Sequence, residues 1–210
     1  MHIPMKRKSD LHLMRKLWHF SGVILIAVIY KEVTHSTAIQ IMALATALFT
    51  TLDLLRQQLP GLNQIIISIF GPLMREYERK GLAGTTYLLV GCLLVMLIFP
   101  KPIVFLTFIL LGTADPLASL IGIRYGKDKI LNNKTLQGTL AAFIICAVVS
   151  GVYFFVTNTM TERLLIVSLL SGLVGAFSEL LPVGKVDDNL TFPLLCSIGM
   201  WGIYTLFGGL

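Results

Sequence analysis

Seven apolar stretches alternate with short polar loops along this sequence, and each stretch is long enough to form a membrane-spanning helix. A bilayer core of about 30 Å is crossed by about 20 helical residues. Mean hydropathy is +0.81, and 13% of the residues are charged, compared with about 25% in soluble domains. The predicted spans are residues 17–33, 37–54, 83–100, 102–123, 136–157, 162–182 and 190–208. We therefore expect an all-α polytopic membrane bundle that forms one integral domain over residues 1–210, with a basic cytoplasmic segment at residues 1–16.

A shorter apolar segment occupies residues 62–74 and contains Gly71-Pro72. About 13 residues are too few to cross the hydrocarbon core as a helix. We therefore predict an interfacial or re-entrant helix at this position. If the segment did cross the membrane, the orientation of every later span would be inverted.

Lysine and arginine are distributed unequally between the two ends of the predicted spans. Of the 17 Lys and Arg residues, only Lys31, Lys101 and Arg163 fall on one side. Because cytoplasmic loops carry an excess of these residues, we predict a cytoplasmic N-terminus and a C-terminus outside. The formal charge of +6 is explained by this topology and by anionic lipid headgroups, so we expect no nucleic-acid partner.

The three cysteines, Cys92, Cys146 and Cys196, each lie inside a predicted span. Cysteine in such a position behaves as a small apolar side chain. We therefore expect neither disulfides nor metal ligation from them.

Asp115 lies inside the fourth predicted span and is directly followed by Pro116. An ionised aspartate inside hydrocarbon costs several kcal/mol, so it must face a cavity or a partner. Pro116 lacks an N–H group and disfavours helical torsion angles in the residue before it. We predict that the helix kinks or breaks here and opens a polar pocket around the carboxylate. The alternative is an aspartate that pairs with a cation only for packing.

The loop before the fifth span indicates an anion site. The free N–H groups at a helix N-terminus and the positive end of its dipole favour negative charge. Thr135 can cap the helix, and Gly138 permits a close backbone approach. The pattern Gly122-x3-Gly126-Lys127 is not a P-loop, because Asp128 stands where Ser or Thr is needed. The alternative is a basic loop with a capping threonine. The candidate nucleotide-binding residues are Arg124, Gly126, Lys127, Lys134, Thr135, Gly138 and Thr139.

Four carboxylates, those of Asp115, Glu179, Asp187 and Asp188, are predicted to surround the positive N-terminus of the fifth span. Mg²⁺ prefers one or two carboxylates together with phosphate oxygens and water. We therefore predict a Mg²⁺ site formed by these residues. The alternative is that Asp188 and Asn189 only cap the seventh span.

Two further polar groups fall on the same predicted side. Arg15 and His19, with Lys16 between them, lie at the start of the first span, and residues at i and i+4 share a helix face. His19 could accept a proton from an alcohol, or it could be a hydrogen-bonded structural group. Arg75, Glu76 and Glu78 belong to an amphipathic segment at residues 62–82, where contact with lipid headgroups is the simplest interpretation.

Five motifs occur along the chain in this order: Arg15-Lys16-Leu17-Trp18-His19, Arg75-Glu76-Tyr77-Glu78 with residues 82–87, residues 114–119 with 122–127, Lys134-Thr135-Leu136-Gln137-Gly138-Thr139, and residues 187–193 beginning Asp187-Asp188-Asn189. Together they resemble the motifs of the membrane kinases of isoprenoid and lipid alcohols, which include polyprenol and dolichol kinases, phytol kinase and CTP-dependent diacylglycerol kinase. The resemblance covers most of the chain. It departs from the family pattern at Gln137, where the family usually has Glu, and Gln adds no negative charge. A fainter resemblance extends to phosphatidate cytidylyltransferases.

The resemblance implies a Mg²⁺-dependent kinase that uses CTP or ATP to phosphorylate a long-chain lipid alcohol at the cytoplasmic face. Asp115, His19 and Lys134 are the expected catalytic residues, and both His19 and Asp115 are candidates for the general base. One alternative is CMP transfer to a lipid phosphate, as in the cytidylyltransferases. Another is a small transporter or a non-catalytic membrane partner. A homodimer is compatible with small-residue patterns such as Gly172-x-x-Gly175.

Overall fold

The computed structural model describes residues 13–131, 134–181 and 186–209, which are almost entirely helical. Residues 1–12 of the predicted basic segment, residue 182 at the end of the sixth predicted span, and Lys185 lie outside the described residues. Single-turn 3₁₀ helices occur at Gly71–Leu73, Glu76–Arg79 and Thr161–Arg163, and a two-stranded antiparallel hairpin joins β1 (Lys129–Leu131) to β2 (Lys134–Thr135). The helices are α1 (Leu13–Glu32), α2 (His35–Gln58), α3 (Pro60–Phe70), α4 (Gly84–Ile98), α5 (Lys101–Tyr125), α6 (Leu136–Val156), α7 (Leu164–Leu180) and α8 (Asp188–Phe207).

The seven predicted spans correspond in order to α1, α2 and α4–α8, which confirms the all-α membrane bundle. Six of these helices are long and apolar enough to cross a membrane, and α4, with 15 residues, is shorter. At a rise of 1.5 Å per residue, α4 is about 22 Å long. It packs inside the bundle against α2 and α8, where eight of its residues are buried.

Polar contacts at the two ends of the bundle give the direction of the helices. Where α1 begins and α5 ends, Lys16 Nζ donates to Ser119 Oγ at 2.9 Å. At the opposite end, Lys101 Nζ at the start of α5 donates to the carbonyl of Val33, just after α1, at 2.9 Å. Similar contacts join the starts of α4 and α8, the start of α6 to the end of α7, and the start of α7 to the end of α8. The seven helices therefore alternate in direction. The end at which α1, α6 and α8 begin is called the site end below.

The segment predicted to be interfacial or re-entrant forms α3, which has 11 residues, none of them buried. At about 16 Å it is too short to span the core. Pro60 occupies its first turn, a position where the missing N–H costs nothing. The helix gives way to a 3₁₀ turn at Gly71–Leu73, because Pro72 has no N–H group with which to continue the α-helical hydrogen bonds.

Of the predicted kink or break at Pro116, the break is wrong, because α5 runs through this residue as one helix from Lys101 to Tyr125, and the kink stays a prediction. Pro116 removes the donor that would have bonded the Gly112 carbonyl, but it is buried and its neighbours hold the backbone in place. In membrane bundles, adjacent helices and local side chains commonly compensate a helical proline. Nearby, Thr113 Oγ1 donates to the Ile109 carbonyl at 2.7 Å, about one turn before the carbonyl that Pro116 leaves without its usual donor.

Glycines bring α6 and α7 into close contact. A Cβ atom on Gly175 would lie 2.1 Å from Cys146 Sγ, and one on Gly172 would lie 2.8 Å from the Phe143 carbonyl oxygen. The Gly172-x-x-Gly175 pattern therefore serves a contact within the chain. Cys92, Cys146 and Cys196 are free and fully buried, which agrees with the prediction that they act as small apolar side chains.

Gly175→Ala is expected to lower the thermal midpoint by roughly 3–10 °C, because overpacking of this kind costs about 1–3 kcal/mol. Gly202→Ala in α8 is the matched control, since a Cβ there meets no atom within 4 Å. Unfolding in detergent can be followed with a thiol-reactive dye, which reaches the buried cysteines only as the bundle opens. An unchanged midpoint for Gly175→Ala would contradict the packing described here.

Candidate active site

Lys134 lies at the centre of a charged cluster at the site end. Its Nζ donates to Glu179 Oε1 at 2.6 Å and lies 3.8 Å from Asp188 Oδ2. Burial alone would lower the pKa of Lys134, but Glu179, Asp188 and the nearby Asp115 together outweigh it and raise this pKa. The ammonium group therefore stays charged at neutral pH, and it links the start of α6 to the end of α7 and the start of α8.

The two aspartates at the start of α8 have different roles. Asp187 caps the helix, because its Oδ1 accepts from the backbone N–H of Asn189 at 3.0 Å. Its Oδ2 accepts from Arg75 Nη1 and from the Tyr77 hydroxyl, both at 2.9 Å. Burial and the adjacent Asp188 raise the pKa of Asp187, and these hydrogen bonds oppose the rise. The cap is therefore Asp187, and not Asp188 and Asn189 as the simplest sequence interpretation had it.

Asp188 is the more accessible of the pair. Its side chain is 37% exposed, whereas that of Asp187 is 3% exposed. Its two ion-pair distances, 3.5 Å to Arg75 Nη2 and 3.8 Å to Lys134 Nζ, are longer than a good hydrogen bond. Asp188 is therefore free to bind a ligand without breaking a strong contact.

The segment after α3 is tied to α1 and α8 rather than left on a lipid surface. Arg75 bridges both aspartates of α8. Glu78 is buried, accepts from Arg15 Nη1 at 2.9 Å through one oxygen, and accepts from the backbone N–H of Arg75 at 3.1 Å through the other. Glu76 is exposed and lies 3.5 Å from Arg79, so the structure does not bring it to the site.

His19 and Asp115 face each other between α1 and α5. His19 Nε2 is buried, has no hydrogen-bond partner among the described residues, and lies 3.7 Å from Asp115 Oδ2. This distance is too long for a direct hydrogen bond. Lys16 lies close enough to Asp115 for a favourable charge interaction. The carboxylate therefore has cations on two sides, Lys16 and Lys134.

The start of α6 has the predicted threonine cap, and the anion site there stays a prediction. Thr135 caps the helix by accepting from the Gly138 N–H at 3.2 Å. A Cβ on Gly138 would lie 3.3 Å from Gly122 Cα, and one on Gly126 would lie 2.6 Å from a Thr135 carbon. These glycines let the end of α5 cross the start of α6 closely. Close packing of the two helices therefore accounts for both glycines.

Three of the predicted nucleotide-binding residues, Arg124, Lys127 and Thr139, do not line the polar cavity beside Lys134 that is described below. Arg124 is exposed and stacks over the Tyr125 ring, and Lys127 is exposed at the hairpin. Thr139 Oγ1 is buried without a hydrogen-bond partner in the described part of the chain.

Gln137 fastens the start of the hairpin to α6. Its Oε1 accepts from the backbone N–H groups of Lys127 and Asp128 at 3.0 and 3.4 Å, and its Nε2 donates to Asp128 Oδ2 at 2.9 Å. A glutamate could accept the two N–H groups but could not donate to Asp128. The departure from the family pattern therefore matches a local carboxylate partner.

A buried clamp formed by Asp53 and Arg56 was missed from the sequence. Arg56 Nη2 donates to the carbonyls of Glu78 and Gly81 at 2.8 and 2.7 Å, and its Nε donates to Asp53 Oδ1 at 2.5 Å. Asp53 Oδ2 accepts from Ala83 N–H at 2.7 Å. The clamp positions the segment that carries Arg75, Tyr77 and Glu78. A charged pair within an apolar helix is the signal that could have identified it.

Two cavities open at the site end. The first, about 540 Å³ in volume, is lined by charged and polar groups that include Arg75, Tyr77, Lys134, Glu179 and Asp188. The second, about 470 Å³, is mainly apolar. Asp187 and Asp188 line the polar cavity, and the next residue, Asn189, lines the apolar one. The first turn of α8 therefore separates the two cavities.

The carboxylates beside Lys134 have the chemistry to hold Mg²⁺ that arrives with a phosphate ligand. Within residues 13–131, 134–181 and 186–209, no three His, Cys, Asp or Glu side chains form a ready-made cage, and Mg²⁺ bound with phosphates does not need one. Glu179 Oε2 is buried and unpartnered among those residues. Asp188, Glu179 and Asp115 are suitable donors, whereas both oxygens of Asp187 are already occupied.

Proteins of known name are similar to this chain over most of its length. CTP-dependent diacylglycerol kinase 1 of Schizosaccharomyces pombe is 33% identical, with 68% of this chain and 70% of the relative covered. Dolichol kinase of Saccharomyces cerevisiae is 30% identical, with 92% of this chain and 37% of the relative covered. Probable phytol kinase 1 of Oryza sativa subsp. japonica is 26% identical, with 97% and 67% covered. No family model and no solved structure matches the chain.

The architecture and these relatives together define an integral membrane lipid kinase. The chain belongs to the family of membrane lipid-alcohol kinases that includes diacylglycerol, dolichol and phytol kinases.

Gln137→Glu is expected to destabilise the protein by roughly 1 kcal/mol, or about 3 °C in the thermal midpoint, because a hydrogen bond is replaced by repulsion with Asp128. Adding Asp128→Asn should restore the midpoint, since Asn can donate to the new glutamate. Asp128→Asn alone is the control. If the double variant were no more stable than Gln137→Glu alone, the hairpin contact would not be the reason for the glutamine.

Proposed function

We propose that this protein transfers the γ-phosphoryl group of CTP or ATP to the hydroxyl group of a long-chain lipid alcohol. The observation that carries the proposal is a pair of neighbouring cavities, divided by the first turn of α8 and by residues 81–84. One has the charge to bind a nucleotide, and the other has the apolar walls to bind a lipid. The named relatives make CTP with diacylglycerol the first pair to assay, with dolichol and phytol as further acceptors.

The polar cavity is the proposed nucleotide site. Lys134 and Arg75 provide positive charge for the phosphates, and both are held in place by carboxylates. Asp188, with Glu179 or Asp115, would hold Mg²⁺. When bound, Mg²⁺ neutralises charge that builds up on the phosphate oxygens. Because phosphoryl transfer depends mainly on positioning and charge neutralisation, side chains that are already fixed by their own contacts suit this role.

The acceptor hydroxyl is proposed to sit at the polar end of the apolar cavity, which His19, Arg15, Glu78 and Asn189 line. His19 Nε2, or Asp115 beside it, takes the hydroxyl proton. The alcohol oxygen forms a bond to the γ-phosphorus, the bond from that phosphorus to the bridging oxygen breaks, and a nucleoside diphosphate leaves. The 3.7 Å gap between His19 and Asp115 allows a hydroxyl to approach both groups.

The site end is proposed to face the cytoplasm, where nucleotides are available. Among residues 13–131, 134–181 and 186–209, every Lys and Arg except Lys31, Lys101 and Arg163 falls at this end or in its loops, and the seven alternating helices put these three at the opposite end. On this proposal the N-terminus is cytoplasmic, the C-terminus is outside, and residues 1–210 form one kinase domain.

The test is transfer from γ-labelled CTP or ATP to a panel of lipid alcohols by protein in nanodiscs with Mg²⁺, read by thin-layer chromatography. We expect label in a lipid monophosphate and release of nucleoside diphosphate. Asp115→Asn should lower the rate about 100-fold or more, as expected for loss of a proton-transfer or charge-stabilising group. Glu76→Gln, on an exposed residue outside both cavities, should retain activity.

Three outcomes would contradict the proposal. Release of pyrophosphate from CTP on addition of phosphatidate would favour the cytidylyltransferase alternative. Absence of nucleotide turnover with every acceptor would favour a transporter or a non-catalytic partner. A wild-type rate for Asp115→Asn would remove Asp115 from the reaction centre.

A further inference from the structure

We propose that the hydrocarbon tail of the acceptor occupies the apolar cavity and reaches it sideways from the bilayer, between Trp18 of α1 and Phe70 of α3. The proposal rests on the proposed function for the identity of the ligand, a long-chain alcohol. It adds the site of the tail and the route by which the tail arrives.

The walls of the cavity match the polarity of such a ligand along its length. Its polar end carries Arg15, His19 and Asn189, and the remainder is lined mainly by apolar side chains of α1 to α4, such as Ile26, Phe49 and Leu52. A ligand with one hydroxyl group and a long tail satisfies both parts. A fully polar ligand such as a nucleotide would make no apolar contacts with these walls.

Gly22 provides space along the α1 wall. It lines the cavity, and a Cβ atom on it would meet no atom within 4 Å. It lies one turn beyond His19, on the side away from the polar end. A large side chain at this position would therefore fill the cavity where the tail is proposed to lie.

The opening lies where cavity-lining residues are also exposed. Trp18 and Phe70 both line the cavity, yet they are 51% and 40% exposed. Their ring centroids are 6.2 Å apart and the rings are tilted by 58°. A large aromatic side chain that faces both a cavity and the outside of an apolar helix marks the rim of a lateral opening.

The polar contacts that attach α3 to the neighbouring segments lie near its start. Near its start, Asn63 accepts from Arg56 Nη1 at 3.0 Å and donates to the carbonyl of Arg79 at 3.3 Å. At its far end, Phe70 leans on Trp18. None of its residues is buried, so an outward movement of α3 would break few contacts besides those that the following turn, Gly71–Leu73, makes with α1. This geometry lets α3 act as the movable side of the opening.

A lateral route keeps the tail in an apolar environment throughout. Passage through water would expose every methylene group, which the hydrophobic effect opposes. The route between α1 and α3 begins at the bilayer and ends at His19, so only the hydroxyl group leaves the lipid phase.

The first experiment uses photo-crosslinking, which does not depend on phosphoryl transfer. A C16 alcohol with a diazirine near its methyl end is added to protein in nanodiscs, irradiated, and located by mass spectrometry. We expect adducts on cavity-lining residues such as Phe49, Leu52 and Ile66. Gly22→Leu should reduce them at least about tenfold, Gly22→Ala should reduce them less, and Gly202→Leu, outside the cavity, should leave them unchanged. Adducts spread over the outer helix faces, or unaffected by Gly22→Leu, would overturn the tail site.

The second experiment tests the route by order of addition. Trp18→Cys and Phe70→Cys are combined and joined with a short bismaleimide, and the buried native cysteines do not compete for the reagent. Crosslinking before addition of the lipid should block labelling, whereas crosslinking after loading should not. Equal labelling in both orders would overturn the lateral route.

The two failures can be told apart from failure of the proposed function. Specific labelling without phosphoryl transfer would keep the tail site and remove the kinase assignment. Phosphoryl transfer without labelling of the cavity would keep the proposed function and remove the tail site.

Discussion

The ion pair between Lys134 and Glu179 is the contact on which the site end of this molecule depends. A charge taken out of water costs several kcal/mol unless opposite charge replaces the solvent. Lys134 meets this requirement at 2.6 Å from Glu179 and 3.8 Å from Asp188. Because these partners lie on α7 and α8, neutralising one ammonium group fixes where three helices must end or begin.

The same logic extends outward through Arg75 and Arg56. Arg75 links the segment after α3 to Asp187 and Asp188 at the start of α8. Arg56 donates hydrogen bonds to two backbone carbonyls of the same segment. Fold and site are therefore one network. The network also explains why two cavities of opposite character can lie side by side: the first turn of α8 is held rigidly enough, by the cap at Asp187 and by Asn189 bonded to Gly84, to separate them.

Hydrophobic periodicity is local, and for that reason the spans, the short α3 and the buried cysteines could be predicted from sequence. Contacts between residues that are far apart in the sequence could not be predicted in this way. Pro116 leaves α5 intact because neighbouring helices hold it, and Asp187 rather than Asp188 caps α8. Arg124 and Lys127 are exposed and do not line the polar cavity. Gln137 differs from the family pattern for a reason, Asp128, that only the folded hairpin reveals. The Asp53–Arg56 clamp stabilises carbonyls more than 20 residues further along the chain.

The central claim is that nucleotide and lipid meet across the first turn of α8, and proximity between the two ligands tests it most directly. The measurement is paramagnetic broadening, by Mn²⁺ bound with a non-hydrolysable CTP or ATP analogue, of ¹³C resonances from a labelled lipid alcohol in nanodiscs, with Mg²⁺ as the diamagnetic reference. The account predicts strong broadening of the carbon that carries the hydroxyl group and little effect at the terminal methyl group. Equal broadening of both carbons, or of neither, would contradict it.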